Sequence, residues 1–137
     1  MSAHDIVFRW HFRVREAEVD RQQVVFNSRY LEYADIVIGE YFRSRGIPLI
    51  GEGLPLMHVR RAAVDYLQPL RIDDAVVGAM CRPQHRRTSI TLRIEFRTES
   101  DGPLAAVAEI VYVNVDPDSH RAHPFADDFV AKVCRQG

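Results

Sequence analysis

Apolar and charged residues alternate near the start of the chain. Phe8, Trp10, Phe12 and Val14 are separated by arginines and one histidine. A repeat of two residues with large apolar side chains predicts a β-strand that buries one face. The charged residues between them are then expected to face water or a ligand.

The pattern changes to a helical one between Asn27 and Arg45. Apolar residues recur there at intervals of three and four, in the series Tyr30, Leu31, Ala34, Val37, Ile38, Tyr41 and Phe42. This spacing predicts a long helix with a continuous apolar stripe. Tyr33 and Ile36 widen the stripe, so the helix is expected to be enclosed on most sides. Gly46 and Pro48 follow where a helix of this length should end.

Four further strands and a short terminal helix complete the predicted elements. The strands are expected at residues 57–66, 75–82, 88–98 and 104–115, and the helix at residues 125–134. Short turns between successive strands indicate antiparallel pairing. The expected fold class is therefore α+β, in which one long central helix is wrapped by a five-stranded antiparallel β-sheet.

Length and composition limit the possible function. A chain of 137 residues is expected to form one domain, residues 1–137. Its formal net charge of -1 argues against a nucleic-acid partner. The sequence has neither a secretory signal nor an apolar segment of the ~20 residues that span a bilayer. Cys81 and Cys134 are far apart, which indicates reduced thiols and a cytoplasmic location.

The stretch before the long helix contains the residues with the clearest chemical meaning. Asp20 lies seven residues before Asn27, and Asn27 and Ser28 open the helical pattern. A helix begins with N–H groups that have no partner inside the helix, and these groups can bind an anion. A carboxylate beside such a helix start is a minimal set of groups for hydrolysing an acyl compound.

The same stretch resembles the hotdog-fold acyl-CoA thioesterases of the 4-hydroxybenzoyl-CoA thioesterase type. The family's motif is matched by Glu18 and Asp20, by the aromatic Phe26, and by the pair Tyr30-Leu31. The resemblance extends over nearly the whole chain. It implies a hotdog domain, hydrolysis of an acyl-CoA thioester without a cofactor, and a homodimer or homotetramer in which two sheets join edge to edge.

The resemblance also implies roles for individual residues. Asp20 would act as nucleophile or as general base, and neither role is favoured by the sequence. The backbone N–H of Asn27, with Ser28 beside it, would form the oxyanion hole. The remaining candidates would bind substrate: Phe26, Ser28 and Tyr30 beside the acyl group, and Arg60, Arg61, Arg86, Arg87, Thr88 and Arg121 at the phosphates of CoA.

Each of these residues also has a simpler structural interpretation. Asp20 could cap a turn, and Asn27 or Ser28 could be the N-cap of the helix. Asp35 could orient water, although pairing with an arginine is the favoured expectation. His120 and His123 have the spacing of metal ligands, but without further ligands a solvated loop is expected and no metal site is predicted.

One departure from the family motif affects the choice of function. Gln23 stands where the family usually has glycine, which serves positive φ or close approach of the backbone. It favours an alternative in which the protein binds acyl thioesters without hydrolysing them. A hotdog hydratase or dehydratase is the other alternative. It requires a histidine base, which only His58 could supply from another strand.

Overall fold

The structure, a computed structural model, describes residues 5–99 and 101–134. A strand and one turn of 3-10 helix (Glu16–Glu18) precede the long helix, and the other strands follow it. The elements are β1 (Ile6–Arg13), α1 (Arg29–Ser44), β2 (Met57–Tyr66), β3 (Ala75–Cys81), β4 (Gln84–His85), β5 (Ser89–Thr98), β6 (Leu104–Asn114) and α2 (Asp127–Val133). None of the helices in these ranges has the length and apolar character needed to cross a membrane.

The strands form a single antiparallel sheet. Its order is β1-β3-β5-β6-β2, and β4 pairs with β5 beside this path. The prediction of an α+β fold with an antiparallel sheet is confirmed, but the predicted number of strands is wrong, because the sheet has six. β4 has only two residues and lies where the sequence indicates a basic turn, so it is too short to produce an alternating pattern.

Helix α1 packs against the concave face of the sheet. Tyr33 and Tyr41 contact Phe12 and Phe8 of β1, with ring centroids 4.7 and 5.6 Å apart. The predicted helix is confirmed, although it begins two residues later than expected, at Arg29. The expectation that it is enclosed on most sides is wrong. Ile36 remains 45% exposed, because the sheet covers only one side of the helix.

Strands β5 and β6 supply most of the inner face of the sheet. Ile90, Leu92, Ile94 and Phe96 of β5 are all buried and alternate with partly exposed polar residues, as predicted. β6 lies between β5 and β2, and its residues 105–108 are buried without alternation. This agrees with the prediction of a covered central strand.

The helix approaches the sheet most closely at Gly78 of β3. A Cβ atom at this position would lie 2.6 Å from the Val37 side chain and 3.2 Å from that of Phe96. Gly39, on the outer side of α1, is different, because a Cβ there would meet Leu49 at an ordinary distance of 3.9 Å. Glycine is therefore required at Gly78 by packing, whereas Gly39 leaves open space beside the helix.

We predict opposite effects for alanine at these two glycines. Gly78→Ala should lower the free energy of unfolding by about 1–3 kcal/mol, because the added methyl overpacks the contact between helix and sheet. Gly39→Ala should raise it by about 0.5–1 kcal/mol, because alanine favours the helix. Urea denaturation of both variants measures the two effects. Equal stability of Gly78→Ala and the native protein would contradict the close approach.

Candidate active site

Asp20 lies in a tight turn that precedes α1. Its Oδ1 atom accepts hydrogen bonds from the N–H groups of Gln22 at 2.7 Å and Val24 at 3.4 Å. The Asp20 N–H donates to the Val24 carbonyl, and its carbonyl accepts the Gln23 N–H. Asp20 is thus the turn cap that the simpler interpretation describes. Among the residues described, only Oδ1 accepts a hydrogen bond, so Oδ2 keeps its lone pairs for another partner.

Gln23 occupies the position in this turn at which the family usually has glycine. Its φ angle is +65°, in the left-handed region that favours glycine. The residue is exposed, and the turn keeps its hydrogen bonds. The difference in residue type is therefore accommodated by backbone strain at Gln23, which costs about 1–2 kcal/mol for a residue with a Cβ atom.

Glu18 fixes the other end of the same loop against the helix. Its carboxylate is almost completely buried and accepts hydrogen bonds from the Tyr33 hydroxyl at 2.9 Å and from the backbone and guanidinium of Arg15. Its carbonyl accepts the N–H of Phe26, and Val19 pairs with Val25. The loop that carries Asp20 is thereby held beside the residues that lead into α1.

These contacts determine the ionisation of Glu18 and Tyr33. Burial raises the pKa of the Glu18 carboxyl, but the hydrogen bonds from Arg15 and Tyr33 outweigh it and hold the pKa below its ordinary value. Burial and the hydrogen bond to the Glu18 carboxylate raise the pKa of the Tyr33 hydroxyl. Glu18 is therefore charged and Tyr33 neutral at pH 7.

The start of α1 presents two backbone N–H groups without an acceptor. Neither Asn27 nor Ser28 donates its N–H to any residue in the described part of the chain. Ser28 is the residue that precedes the helix, and its side chain makes no capping hydrogen bond. These N–H groups carry the partial positive charge of a helix start, which stabilises an anion.

Tyr66, the last residue of β2, contacts this helix start. Its hydroxyl donates a hydrogen bond to the Asn27 carbonyl at 3.1 Å, and its ring lies edge-on to Tyr30 at 5.2 Å. A cavity of about 270 Å³ opens here, which we call the helix-start cavity. It is lined by Val24, Val25, Asn27, Tyr30, Tyr66, Leu67, Gln68 and Pro69.

Phe26 and Ser28 line a separate cavity on the other side of the helix start. This second cavity has a volume of about 430 Å³ and also includes Glu18, Arg29 and Glu32. Phe26 is half exposed there, whereas Tyr30 and Tyr33 are buried in the core. The predicted acyl-binding residues therefore do not share one cavity within a single subunit.

A third cavity lies farther along α1, and we call it the central cavity. Its volume is about 440 Å³, and it crosses the outer face of the helix at Gly39. The lining residues are Trp10, Asp35, Ile36, Ile38, Gly39, Glu40, Phe42, Arg43, Leu49, Leu54, Met57 and Tyr112. Asp35 is the one residue among them that the sequence analysis considers for a role in the site.

Asp35 does not behave as expected. It makes no ion pair with an arginine within the described ranges, so the favoured expectation is wrong. Its carboxylate instead lies near Tyr112. Burial raises the pKa of the Tyr112 hydroxyl, and the negative charge of Asp35 raises it further. Asp35 is therefore a carboxylate at the wall of an apolar cavity.

The predicted phosphate-binding arginines are distributed over three parts of the fold. Arg86 and Arg87 line a cavity of about 520 Å³ between the β4–β5 turn and α2, which we call the basic cavity. Arg61 pairs with Glu109 on the outer face of the sheet. Arg60, Arg121 and Thr88 line none of the four cavities. Of the six predicted phosphate-binding residues, these five arginines and Thr88, two line the basic cavity.

Two of the histidines, His58 and His120, form a pair. His120 stacks on His58, with ring centroids 5.6 Å apart, in an exposed position. Residues 5–99 and 101–134 contain no cluster of three potential ligands that could hold a metal ion. His58 lines none of the four cavities, and its one ring contact within these ranges is with His120.

Two residues of this site have functions that the sequence analysis does not identify. Glu18 appears there only as a motif residue, and Tyr66 does not appear as a site residue. Tyr66 contacts Asn27 across a separation of 39 residues, and Glu18 contacts Tyr33 across 15. Nothing in the local pattern of either segment indicates these contacts.

The long helix α1, the strand order of the sheet and the loop that precedes the helix together define a hotdog-type fold. Residues 14–133 match the model of a family described as the thioesterase-like superfamily. The chain belongs to this superfamily, which places it among thioester hydrolases. None of the curated proteins compared with the chain matches it.

Solved structures of other proteins have the same fold. The 1,4-dihydroxy-2-naphthoyl-CoA thioesterase of Synechocystis is 18% identical, with a TM-score of 0.85 over 93% of this chain and 95% of that one. A thioesterase superfamily protein from Jannaschia sp. CCS1 is 20% identical, with a TM-score of 0.78 over 93% and 83%. The PA5185 protein of Pseudomonas aeruginosa is 18% identical, with a TM-score of 0.82 over 96% and 92%. At these identities the similarity shows the fold.

The hydrogen bonds of Glu18 predict how stability depends on pH. Because the folded pKa of Glu18 is depressed, its contribution is present above the unfolded pKa of about 4.3 and is lost as the pH falls through the folded value. Glu18→Gln should lower the free energy of unfolding by about 2 kcal/mol at pH 7. The difference from the native protein should shrink below about pH 4.

Urea denaturation between pH 3 and pH 7 measures this difference. Glu52→Gln is a suitable control, because Glu52 is exposed and its replacement should change stability little at any pH. A difference between native and Glu18→Gln that is constant across the whole range would contradict the assignment of a charged, hydrogen-bonded Glu18.

Proposed function

We propose that this protein is an acyl-CoA thioesterase with its reaction centre between Asp20 and the start of α1. The observation that supports the proposal most is the pair of unoccupied N–H groups at Asn27 and Ser28, close in the chain to a fixed carboxylate. Membership of the thioesterase-like superfamily supports the reaction type. The two free cysteines are consistent with a cytoplasmic location.

The reaction converts an acyl-CoA and water into a carboxylic acid and free CoA. As general base, Asp20 would take a proton from water while the water oxygen attacks the thioester carbonyl. The carbonyl electrons would move to its oxygen, held by the N–H groups of Asn27 and Ser28. The C–S bond would then break, and the CoA thiolate would recover the proton from Asp20.

Asp20 could instead act as nucleophile. Its free oxygen would attack the carbonyl, expel the CoA thiolate and form a mixed anhydride that water then hydrolyses. A single turnover in water enriched in oxygen-18 distinguishes the two routes. In the nucleophilic route, water that attacks the Asp20 carbonyl carbon of the anhydride leaves an oxygen of Asp20 in the acid product. In the general-base route, the oxygen added to the acid comes only from water.

The four cavities suggest where the parts of the substrate bind. The central cavity is apolar and has the size of a small-ligand site, so we assign the acyl group to it, with Asp35 at its wall. Arg86 and Arg87 make no ion pair in the described part of the chain and line the basic cavity, so we assign the CoA phosphates to it. Phe26, Ser28 and Tyr30, at the start of α1, would lie around the thioester.

A second copy of the chain would complete this site. β2 is a ten-residue strand at the edge of the sheet, and its residues 58–62 are all exposed. Val59, Tyr66 and the neighbouring Leu67 are each more than half exposed. A long edge strand with exposed apolar side chains is a surface on which another strand can pair. We therefore propose a homodimer through β2, to which the scattered Arg60, Arg61 and Arg121 could contribute from the partner. Further pairing to a homotetramer is compatible with this arrangement.

The charges of β2 favour one register for this pairing. Opposite residues in an antiparallel pair point to the same face, so a twofold axis perpendicular to the sheet places one residue opposite its own copy. If that residue is Ala63, Arg61 lies opposite Asp65 of the partner subunit. Asp65 makes no ion pair in the described structure, so this register would supply one.

The first test of the function is thiol release by the native protein and by Asp20→Asn, with a panel of aromatic and aliphatic acyl-CoAs and acyl-pantetheines. Turnover should fall by about a hundredfold or more without the carboxylate. Asp116→Asn is a matched control, because Asp116 caps a turn through its Oδ1 atom in the same way and lies outside the site. Its turnover should be unchanged.

The outcomes of this test separate the alternatives. Full activity of Asp20→Asn would move the chemistry to another residue. Saturable binding of acyl-CoA by the native protein, with no thiol release for any compound, would overturn the thioesterase and favour the non-catalytic binder. Addition of water to an enoyl-CoA without thiol release would favour the hydratase.

The proposed dimer predicts a specific cross-link. Ala63→Cys should form a disulfide between two subunits under mild oxidation, because opposite Cβ atoms on paired strands approach the distance that a disulfide requires. Ala62→Cys is the control, since position 62 would face Val64 of the partner subunit. Non-reducing electrophoresis reads out both variants, with the native protein reporting any background from Cys134. Efficient cross-linking at position 62 instead of 63 would exclude this register.

A further inference from the structure

Tyr66 contacts the peptide group whose N–H belongs to the proposed oxyanion hole. Its hydroxyl donates to the carbonyl of Asn27, and this carbonyl shares its peptide unit with the N–H of Ser28. The same N–H has no acceptor in the described chain. The peptide unit is therefore hydrogen-bonded at its oxygen and available at its nitrogen.

Hydrogen bonding at one end of a peptide unit strengthens the other end. A donor on the carbonyl oxygen draws electron density from the nitrogen and makes the N–H a stronger donor, by about 10–30% in condensed phases. The Asn27 carbonyl also accepts the Tyr30 N–H, but at a longer 3.4 Å. Tyr66 is thus the closer of the two donors on this oxygen.

The packing of Tyr66 suits a positioning role. Its ring stands edge-on to Tyr30, with the two ring planes at 86°, and this contact directs the hydroxyl to the helix start. The ring is nevertheless 53% exposed, so its contribution to the core is small. Packing of the ring alone does not require the hydroxyl to point at this carbonyl.

We propose that Tyr66 is a positioning residue that polarises the Ser28 N–H, so that this N–H stabilises the oxyanion more strongly in the transition state than it binds the neutral carbonyl. The proposal rests on the proposed thioesterase function. It extends the site from the loop and helix to the end of β2, the strand at which we expect the second subunit to pair.

Tyr66→Phe tests this proposal, because it keeps the ring and removes the hydroxyl. kcat should fall about three- to tenfold with KM unchanged, a fraction of the roughly hundredfold loss expected when a whole oxyanion donor is removed. Tyr41→Phe is a matched control, because the Tyr41 hydroxyl also donates to a backbone carbonyl, that of Val133, at the far end of α1. Its kcat should equal that of the native protein below the unfolding transition.

Replacement of Tyr66 by 3-fluorotyrosine separates polarisation from packing. Its more acidic hydroxyl donates a stronger hydrogen bond, so kcat should increase in the order Phe, Tyr, 3-fluorotyrosine at position 66. A structural role alone would give equal values for the two phenols. In addition, the Ser28 amide proton should move upfield in the NMR spectrum of Tyr66→Phe, and this shift does not depend on activity.

The outcomes of these experiments distinguish failure of this inference from failure of the proposed function. If the native protein turns over substrate and Tyr66→Phe has the same kcat, the role of Tyr66 is overturned and the thioesterase function stands. A raised KM with an unchanged kcat would also overturn it, because the hydroxyl would then act in substrate binding. Absence of native turnover would overturn the proposed function and this inference with it. An unmoved Ser28 amide proton would overturn the polarisation alone.

Discussion

The size of the single long helix relative to the sheet determines most features of this molecule. A helix of sixteen residues is about 24 Å long, whereas a strand of ten residues extends about 33 Å. The helix is also narrower than a path of five strands. Part of the inner face of the sheet and most of β2 therefore stay uncovered by α1. The central cavity and the exposed edge both follow from this mismatch.

The proposed chemistry is placed where the chain enters this helix. A buried, charged Glu18 ties the preceding loop to Tyr33 of α1, and Tyr66 ties the end of β2 to the same helix start. Three segments that are distant in sequence thus meet around a few backbone N–H groups. The loop supplies the carboxylate, the helix the partial positive charge, and the strand a phenol that contacts the helix start.

Much of the fold could be predicted from the sequence because it depends on local periodicity. The alternation from Ile90 to Phe96 and the helical stripe that ends before Gly46 both correspond to observed elements. The two-residue β4 has no period to detect. The exposure of Ile36 depends on how much of the helix the sheet covers, and this cannot be seen in the helix sequence alone.

The candidate site was predictable to a smaller extent. The motif around Asp20 indicated the loop before α1, because its residues are contiguous in sequence. The partners of Glu18 and Tyr66, and the lack of an arginine at Asp35, depend on contacts between distant segments. Residue type alone does not show whether a carboxylate or phenol has a partner. The site's supporting contacts therefore emerged only from the three-dimensional arrangement.

The left-handed conformation of Gln23 has a consequence for the order of folding. A glutamine disfavours this conformation, so the segment from Asp20 to Val24 does not form its turn spontaneously in the unfolded chain. The turn is held by Leu70 and Ile72, whose backbones bond to Val25 and Gln23. These contacts join segments that are distant in sequence, so the entropy of bringing the two segments together must be overcome before they can hold the turn. The loop thus takes its shape from the segment at Leu70 and Ile72, and the carboxylate of Asp20 reaches its place only when that segment is in position.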